Sequence, residues 1–230
     1  LRRALILVNL VAVAGVACTQ RLPDPVPIAE PGELALRLEE AGTPVQPQLI
    51  EFKWRYRGRE GRFSGEGAVR VNPPDSVRLD LFGPDWSGVQ SAVLLGDRVY
   101  YVGEQRIELP PPTFMWTMLG SFRPPPGVTP RANRRGEWSE LIYDLSGGRS
   151  VVFRFDATGA VVEAELLVDG DAIQEIRLQP GDPAQRATGF RWPKSARYRD
   201  LAEYHEVSID VTQIREHAPF ERRIFDVADR

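Results

Sequence analysis

The sequence predicts a mainly β fold: an antiparallel sheet large enough to curl on itself. Three observations carry this. Apolar and charged residues alternate with a period of two through much of the stretch from Ile50 to Val211, the pattern of strands with one buried and one solvated face. Glycine, proline, asparagine and aspartate interrupt the alternation at short intervals, so consecutive strands pair as a meander. About eleven strand candidates result, more than a small sandwich requires and suited to a large curled sheet.

The first strand is the clearest. Ile50, Phe52, Trp54 and Tyr56 alternate with Glu51, Lys53, Arg55 and Arg57. Alternation continues over Phe63 to Val71, Ser76 to Phe82, Val89 to Leu95 and Arg98 to Val102, with turns at Arg57-Gly58, Asn72-Pro73-Pro74-Asp75, Gly83-Pro84-Asp85 and Gly96-Asp97. An insert follows. Between Pro110-Pro111-Pro112 and a second proline triplet, Thr113-Phe114-Met115-Trp116-Thr117-Met118-Leu119-Gly120 reads as a two-turn helix, with Thr113 as N-cap and Gly120 as its stop. This helix is apolar nearly all round, so it must be buried or touch something greasy. Its proline brackets and its place inside a sheet give it the character of a movable lid.

Strands resume at Trp138 to Leu145, Val151 to Phe155, Val161 to Val168 and Ala172 to Gln179, then Gly189 to Arg199 and His205 to Val211. Gly147-Gly148, Ala157-Thr158-Gly159 and Asp169-Gly170 are hairpin connections, the last a type I′ signal. The tail closes with Ala218-Pro219-Phe220 and Ile224-Phe225.

Ahead of the first strand the chain changes character twice. Arg2 and Arg3 precede an uncharged run from Ala4 to Ala17, ending in small residues before Cys18. A positive end, a short apolar run and small residues are the parts of an export signal, and the run is shorter than the roughly 20 residues that span a bilayer. Residues 1–17 are therefore expected to be a signal peptide. Pro23, Pro25 and Pro27 then favour an extended spacer over residues 18–29. Pro31 opens a helix that ends near Gly42, with Leu34, Leu36 and Leu38 as its apolar positions.

The 29 basic and 32 acidic residues leave a formal net charge of −3, which argues against a nucleic-acid partner. With 27% charged and 42% hydrophobic residues the composition is globular. The single cysteine excludes an internal disulfide. Catalytic groups are sparse. His205 and His217 are the two histidines, with no Cys/His cluster for a metal, no Gly-x-Ser-x-Gly elbow and no glycine-rich phosphate loop. Ser195 and His205 would have to meet in space to form a hydrolase pair, and His205 alternates with Val207, Ile209 and Val211 as a strand residue does. Glu163, Glu165, Asp169 and Asp171 surround a hairpin and read as a solvated face. No cofactor, metal or catalysis is expected. The aromatics say more: Trp54, Tyr56, Trp86, Tyr100, Tyr101, Phe114, Trp116 and Phe122 all precede residue 123, and both methionines, Met115 and Met118, lie on the short helix. Methionine is adaptable and suits surfaces that receive variable apolar ligands.

Gly15-Val16-Ala17-Cys18 resembles the lipobox of bacterial lipoproteins, departing from it at Gly15, where a large aliphatic is usual. The resemblance implies cleavage before Cys18 and lipidation of that residue. Farther along, Phe52-Lys53-Trp54-Arg55-Tyr56, the run from Ser76 to Pro84, the helix ending Met118-Leu119-Gly120, the segment Gly189 to Lys194 and the closing Ala218-Pro219-Phe220 through Ile224-Phe225 are together similar to the LolA/LolB superfamily of periplasmic lipoprotein carriers and receptors. That resemblance implies, over residues 30–230, an unclosed half β-barrel of about eleven strands around a hydrophobic cavity, with short helices as a lid. The cavity would hold acyl chains of lipids or lipoproteins, lined by Phe52, Trp54, Val69, Leu79, Leu81, Val93, Phe114, Met115, Trp116, Met118 and Leu119. Trp86 is the candidate for the exposed apolar residue that LolB proteins insert into a membrane. Thr19 in place of the aspartate that retains a lipoprotein in the inner membrane implies the periplasmic face of the outer membrane, with a periplasmic carrier protein as a further partner. A scaffold lipoprotein that uses the same sheet to grip another envelope protein is the alternative.

Overall fold

The computed structural model describes residues 23–84, 87–103, 105, 107–181 and 190–226. Among them one antiparallel sheet of thirteen strands dominates: β1 (Val26–Pro27), β2 (Gln48–Gly58), β3 (Gly61–Asn72), β4 (Ser76–Phe82), β5 (Gly88–Leu95), β6 (Arg98–Val102), β7 (Arg131–Arg135), β8 (Trp138–Asp144), β9 (Arg149–Phe155), β10 (Val161–Val168), β11 (Asp171–Pro180), β12 (Pro193–Asp200) and β13 (His205–Glu216). Helices α1 (Pro31–Ala41) and α2 (Pro112–Met118) accompany it. The sheet order is β1-β7-β8-β9-β10-β11-β12-β13-β2-β3-β4-β5-β6, so β1 and β6 are its two edges and the sheet curls without closing.

Two strands exceed the eleven expected, and both are short. β7, Arg-Ala-Asn-Arg-Arg, buries only Ala132 and so carries no apolar alternation. β1 lies in the proline-rich segment, where Val26 and Pro27 pair with Arg134 and Asn133. At an edge the missing amide of Pro27 costs nothing. The described part of the segment expected as an extended spacer is tied to the sheet from Pro23 onward: the Ile28 amide donates to Ala132 at 2.9 Å and Arg135 donates to the Pro23 carbonyl. β12 also begins later than expected, at Pro193, because Phe190 and Trp192 turn into the core and pack edge to face, with ring centres 4.7 Å apart. α2 begins at Pro112 and has no side-chain cap, whereas Thr113 was the expected N-cap. Proline is pre-set for the first helical turn, and Thr113 falls inside the helix.

Period-two alternation survives in three dimensions. Ile50, Phe52, Trp54 and Tyr56 are buried on the concave face while Lys53, Arg55 and Arg57 are exposed on the convex one. The Asp169-Gly170 turn has φ of 52° and 94°, as a type I′ hairpin demands. The concave side is filled largely by the protein itself. Phe122 lies 4.9 Å from Phe153 and 5.0 Å from Phe155, both edge to face, and Tyr143 closes that cluster.

The convex face of the same half is a ladder of charge. Arg135 and Arg154 bracket Glu140, Arg154 also reaches Glu163 and Glu165, and Glu175 accepts from Arg177 and Arg199. Glu140 and Glu175 are buried there because long arginine stems cover them.

Strand register divides the molecule into two rims. The first holds the β3–β4 turn, the β5–β6 turn at Gly96, the β7–β8 hairpin at Gly136 and residues 156–160 between β9 and β10. The second holds the β2–β3 hairpin, the start and end of the β4–β5 connection, residues 145–148, the Asp169-Gly170 turn and residues 201–204.

Candidate acyl-chain pocket

Strands β2, β3, β4 and β13 lie side by side at the middle of one half of the sheet. Their register aligns Trp54 with Ile209, Phe52 with Val211, and Val69 with Leu79. Phe52 sits opposite Gly67, where an added Cβ would lie 2.4 Å from the Phe52 ring. Glycine is required there because the aromatic ring rests on the backbone of the neighbouring strand. Trp54 is fixed by its one donor, which is shared between the carbonyls of Glu66 at 3.0 Å and Phe82 at 3.1 Å. The result is a smooth hydrocarbon floor.

The insert between β6 and β7 forms the roof. Leu109, Pro110, Met115, Met118 and Leu119 face the floor, and between the two lies a pocket of about 50 Å³ with only apolar side chains on its walls. Of the eleven cavity residues expected from the sequence, the structure brings eight to this pocket: Phe52, Trp54, Val69, Leu79, Leu81, Met115, Met118 and Leu119.

The other three go elsewhere. Val93 is on the convex face, fully buried beneath Phe220 and Phe225 of the C-terminal segment. Ala92-Val93-Leu94-Leu95 is apolar without alternation because this strand is covered on both sides. Phe114 turns toward Tyr198, with ring centres 5.6 Å apart. Trp116 faces away from the pocket, donates to the Gly96 carbonyl at 2.7 Å and lies 5.0 Å beneath the Arg123 guanidinium. Val77, Leu109, Pro110, Val207 and Ile209 line the pocket without having been singled out. Val207 and Ile209 were legible as one face of a strand, but only the β13–β2 pairing puts that face beside Trp54.

Near the second rim the concave face becomes polar. His205, buried on β13, lies between the rings of Tyr56 and Tyr198, 6.0 and 5.7 Å away, with Nδ1 4.0 Å from the Glu108 carboxylate. Burial raises both phenols above their ordinary range; the hydrogen bond to Glu60 adds to this at Tyr56, and the charge of Asp200 at Tyr198. Both tyrosines stay neutral hydrogen-bond donors at any physiological pH. Ser195 pairs with Asp210, and His205 with Asp200 five positions along β12, so about 17 Å of strand separates serine from histidine and no catalytic pair forms. Among the described residues no cluster of three or more His, Cys, Asp or Glu could hold a metal. Cys18 and Trp86 lie outside the described residues.

No family model matches the chain, and neither does any curated protein. Solved structures do. A LolA superfamily protein from Nitrosomonas europaea superposes with a TM-score of 0.57 at 13% identity, over 84% of this chain and 97% of that one. A domain named for outer membrane lipoprotein sorting, from Vibrio parahaemolyticus, gives 0.48 at 10% identity over 84% and 95%. A DUF1329 family protein from Desulfovibrio piger gives 0.47 at 10% identity over the same shares. The fold is LolA-like.

Proposed function

We propose that this chain, LolA-like in fold, is a lipid-anchored, non-catalytic binding protein on the periplasmic face of the bacterial outer membrane, which takes acyl chains of lipids or lipoproteins into the space beneath α2. The observation that supports this reading is a wholly apolar pocket roofed by a two-turn helix that is held in place by its side chains. α2 has seven residues and no side-chain cap. A helix so short is not stable by itself and stays folded only through packing.

Size determines how such a protein would work. A pocket of about 50 Å³ is well below the roughly 300–1,000 Å³ of an ordinary ligand site. An acyl chain therefore enters by exchange, taking the floor that Met115, Met118 and Leu119 now cover. Each methylene removed from water contributes about 0.8 kcal/mol, while the displaced helix gives up comparable burial. Near-balance of this kind allows both uptake and release, which a carrier or receptor needs. In this reading Cys18 carries the lipid, residues 1–17 are removed on export, and a periplasmic carrier protein delivers or collects the cargo.

Stoichiometric uptake tests the proposal. Delipidated protein is expected to bind a fluorescent fatty acid at about one per chain, and Leu79→Trp, which fills the floor, should weaken binding at least about tenfold, some 1.4 kcal/mol, with an unchanged β circular dichroism spectrum. Absence of uptake by the native protein would leave the second reading, a scaffold that grips another envelope protein. The well-filled concave side favours that rival.

A further inference from the structure

The place where the N-terminal segment joins the sheet determines which end of the molecule can lie against a membrane. Five Cα-to-Cα steps separate Cys18 from Pro23. Even fully extended they reach at most about 18 Å. Pro23 is held at the β7–β8 hairpin, where the Arg135 guanidinium donates to its carbonyl and its ring lies against Gly136. A lipid on Cys18 therefore holds that hairpin close to the bilayer.

The hairpin has the chemistry for contact. Trp138 opens β8 opposite Arg135 and is 43% exposed, although tryptophan is normally buried or at an interface. Tryptophan's large ring with one polar N–H favours the headgroup level of a bilayer. Arg134, on the opposite face of the same hairpin, is exposed and has no ionic partner among the described residues, so it is free to meet lipid phosphate at this rim. Val26, paired with Arg134 on β1, is 62% exposed and adds apolar surface.

We infer that the first rim, led by Trp138 and Arg134 on the β7–β8 hairpin, is the membrane-facing surface of this protein, and that the second rim points into the aqueous compartment. The inference rests on the Cys18 anchor proposed above. It also places the beginning and end of the β4–β5 connection, which contains Trp86, on the rim away from the anchoring membrane.

Full-length lipidated protein in vesicles of phosphatidylethanolamine and phosphatidylglycerol tests both statements separately. Flotation with the vesicles, lost in Cys18→Ser, reports on the anchor. An environment-sensitive dye on Glu137→Cys, which leaves Trp138 in place, reports on the first rim, and the same dye on Tyr204→Cys reports on the second. The dye at 137 should emit to the blue and resist aqueous iodide several-fold better than the dye at 204, and adding Trp138→Ser should reduce that protection. A protein that floats while the dye at 137 is as accessible as that at 204 has the anchor but not this orientation. A protein that fails to float overturns the anchor and the orientation together.

Discussion

Tyr143 shows how a single side chain can work against the fold that holds it. Its ring is fully buried in the aromatic cluster around Phe122, yet its hydroxyl has no hydrogen-bond partner among the described residues. A buried hydroxyl without a partner costs about 1–3 kcal/mol in lost hydration. Tyr143→Phe should therefore leave the urea midpoint unchanged or raise it, corresponding to a gain of up to about 1 kcal/mol. Alkali tests the same physics. Burial raises Tyr56, Tyr143 and Tyr198 above the ordinary phenol value of 10.0, so the folded chain holds these protons more tightly than the unfolded one. Their contribution is fully present below pH 10 and is lost as pH rises beyond it. Urea midpoints should be flat from about pH 8 to 9.5 and fall above about pH 10.5, with a smaller fall in Tyr143→Phe.

At the level of elements, the convex ladder runs unbroken from β7 to β12. Arg154 is its centre, with Glu140 at 3.0 Å, Glu163 at 2.6 Å and Glu165 at 2.9 Å. Burial pulls its guanidinium down, but the hydrogen bonds to Glu163 and Glu140 and the nearby charge of Glu165 more than offset this and hold it above the ordinary arginine range. Arg154→Met would remove the cation on β9 that bridges Glu140 on β8 to Glu163 and Glu165 on β10, leaving Glu140 to Arg135 and Glu163 to Arg177. A loss of about 3 kcal/mol is expected from removing one partner of such a buried network, measurable by chemical denaturation. Sequence alternation had marked Glu163 and Glu165 as a solvated face; in the folded chain they are side chains at most 16% exposed, spanned by arginine.

For the whole molecule, the distribution of stability follows from the topology. β2 and β13 have neighbours on both sides and carry the buried floor, with the aromatics on β2, whereas α2 packs across β10–β12 through its side chains. Hydrogen exchange should therefore show amides of Ile50–Tyr56 opening only with global unfolding and those of Met115 and Leu119 opening well before it. Saturating acyl ligand should speed exchange in α2 further, because the ligand takes its place on the floor. Slower exchange there would mean that α2 closes over the ligand and is not displaced by it.

From sequence alone, eleven of the thirteen strands, both helices and the two-sided alternation of most strands were already legible. Alternation and turn chemistry are local, so Phe52-Lys53-Trp54-Arg55-Tyr56 needed no partner to declare an inner and an outer side, and Asp169-Gly170 declared its hairpin. Only the tertiary structure decided what covers each face. Val93 went outward because Phe220 and Phe225, well over a hundred residues away in sequence, lie over it. Trp116 turned from the pocket because the Gly96 carbonyl and Arg123 were waiting on its other side. The tether became an edge strand because β7 offered it backbone groups, and β7 itself is held by pairing with no apolar stripe to announce it. Contacts between distant segments leave no period in the chain, and those contacts determine how much of the hollow stays empty.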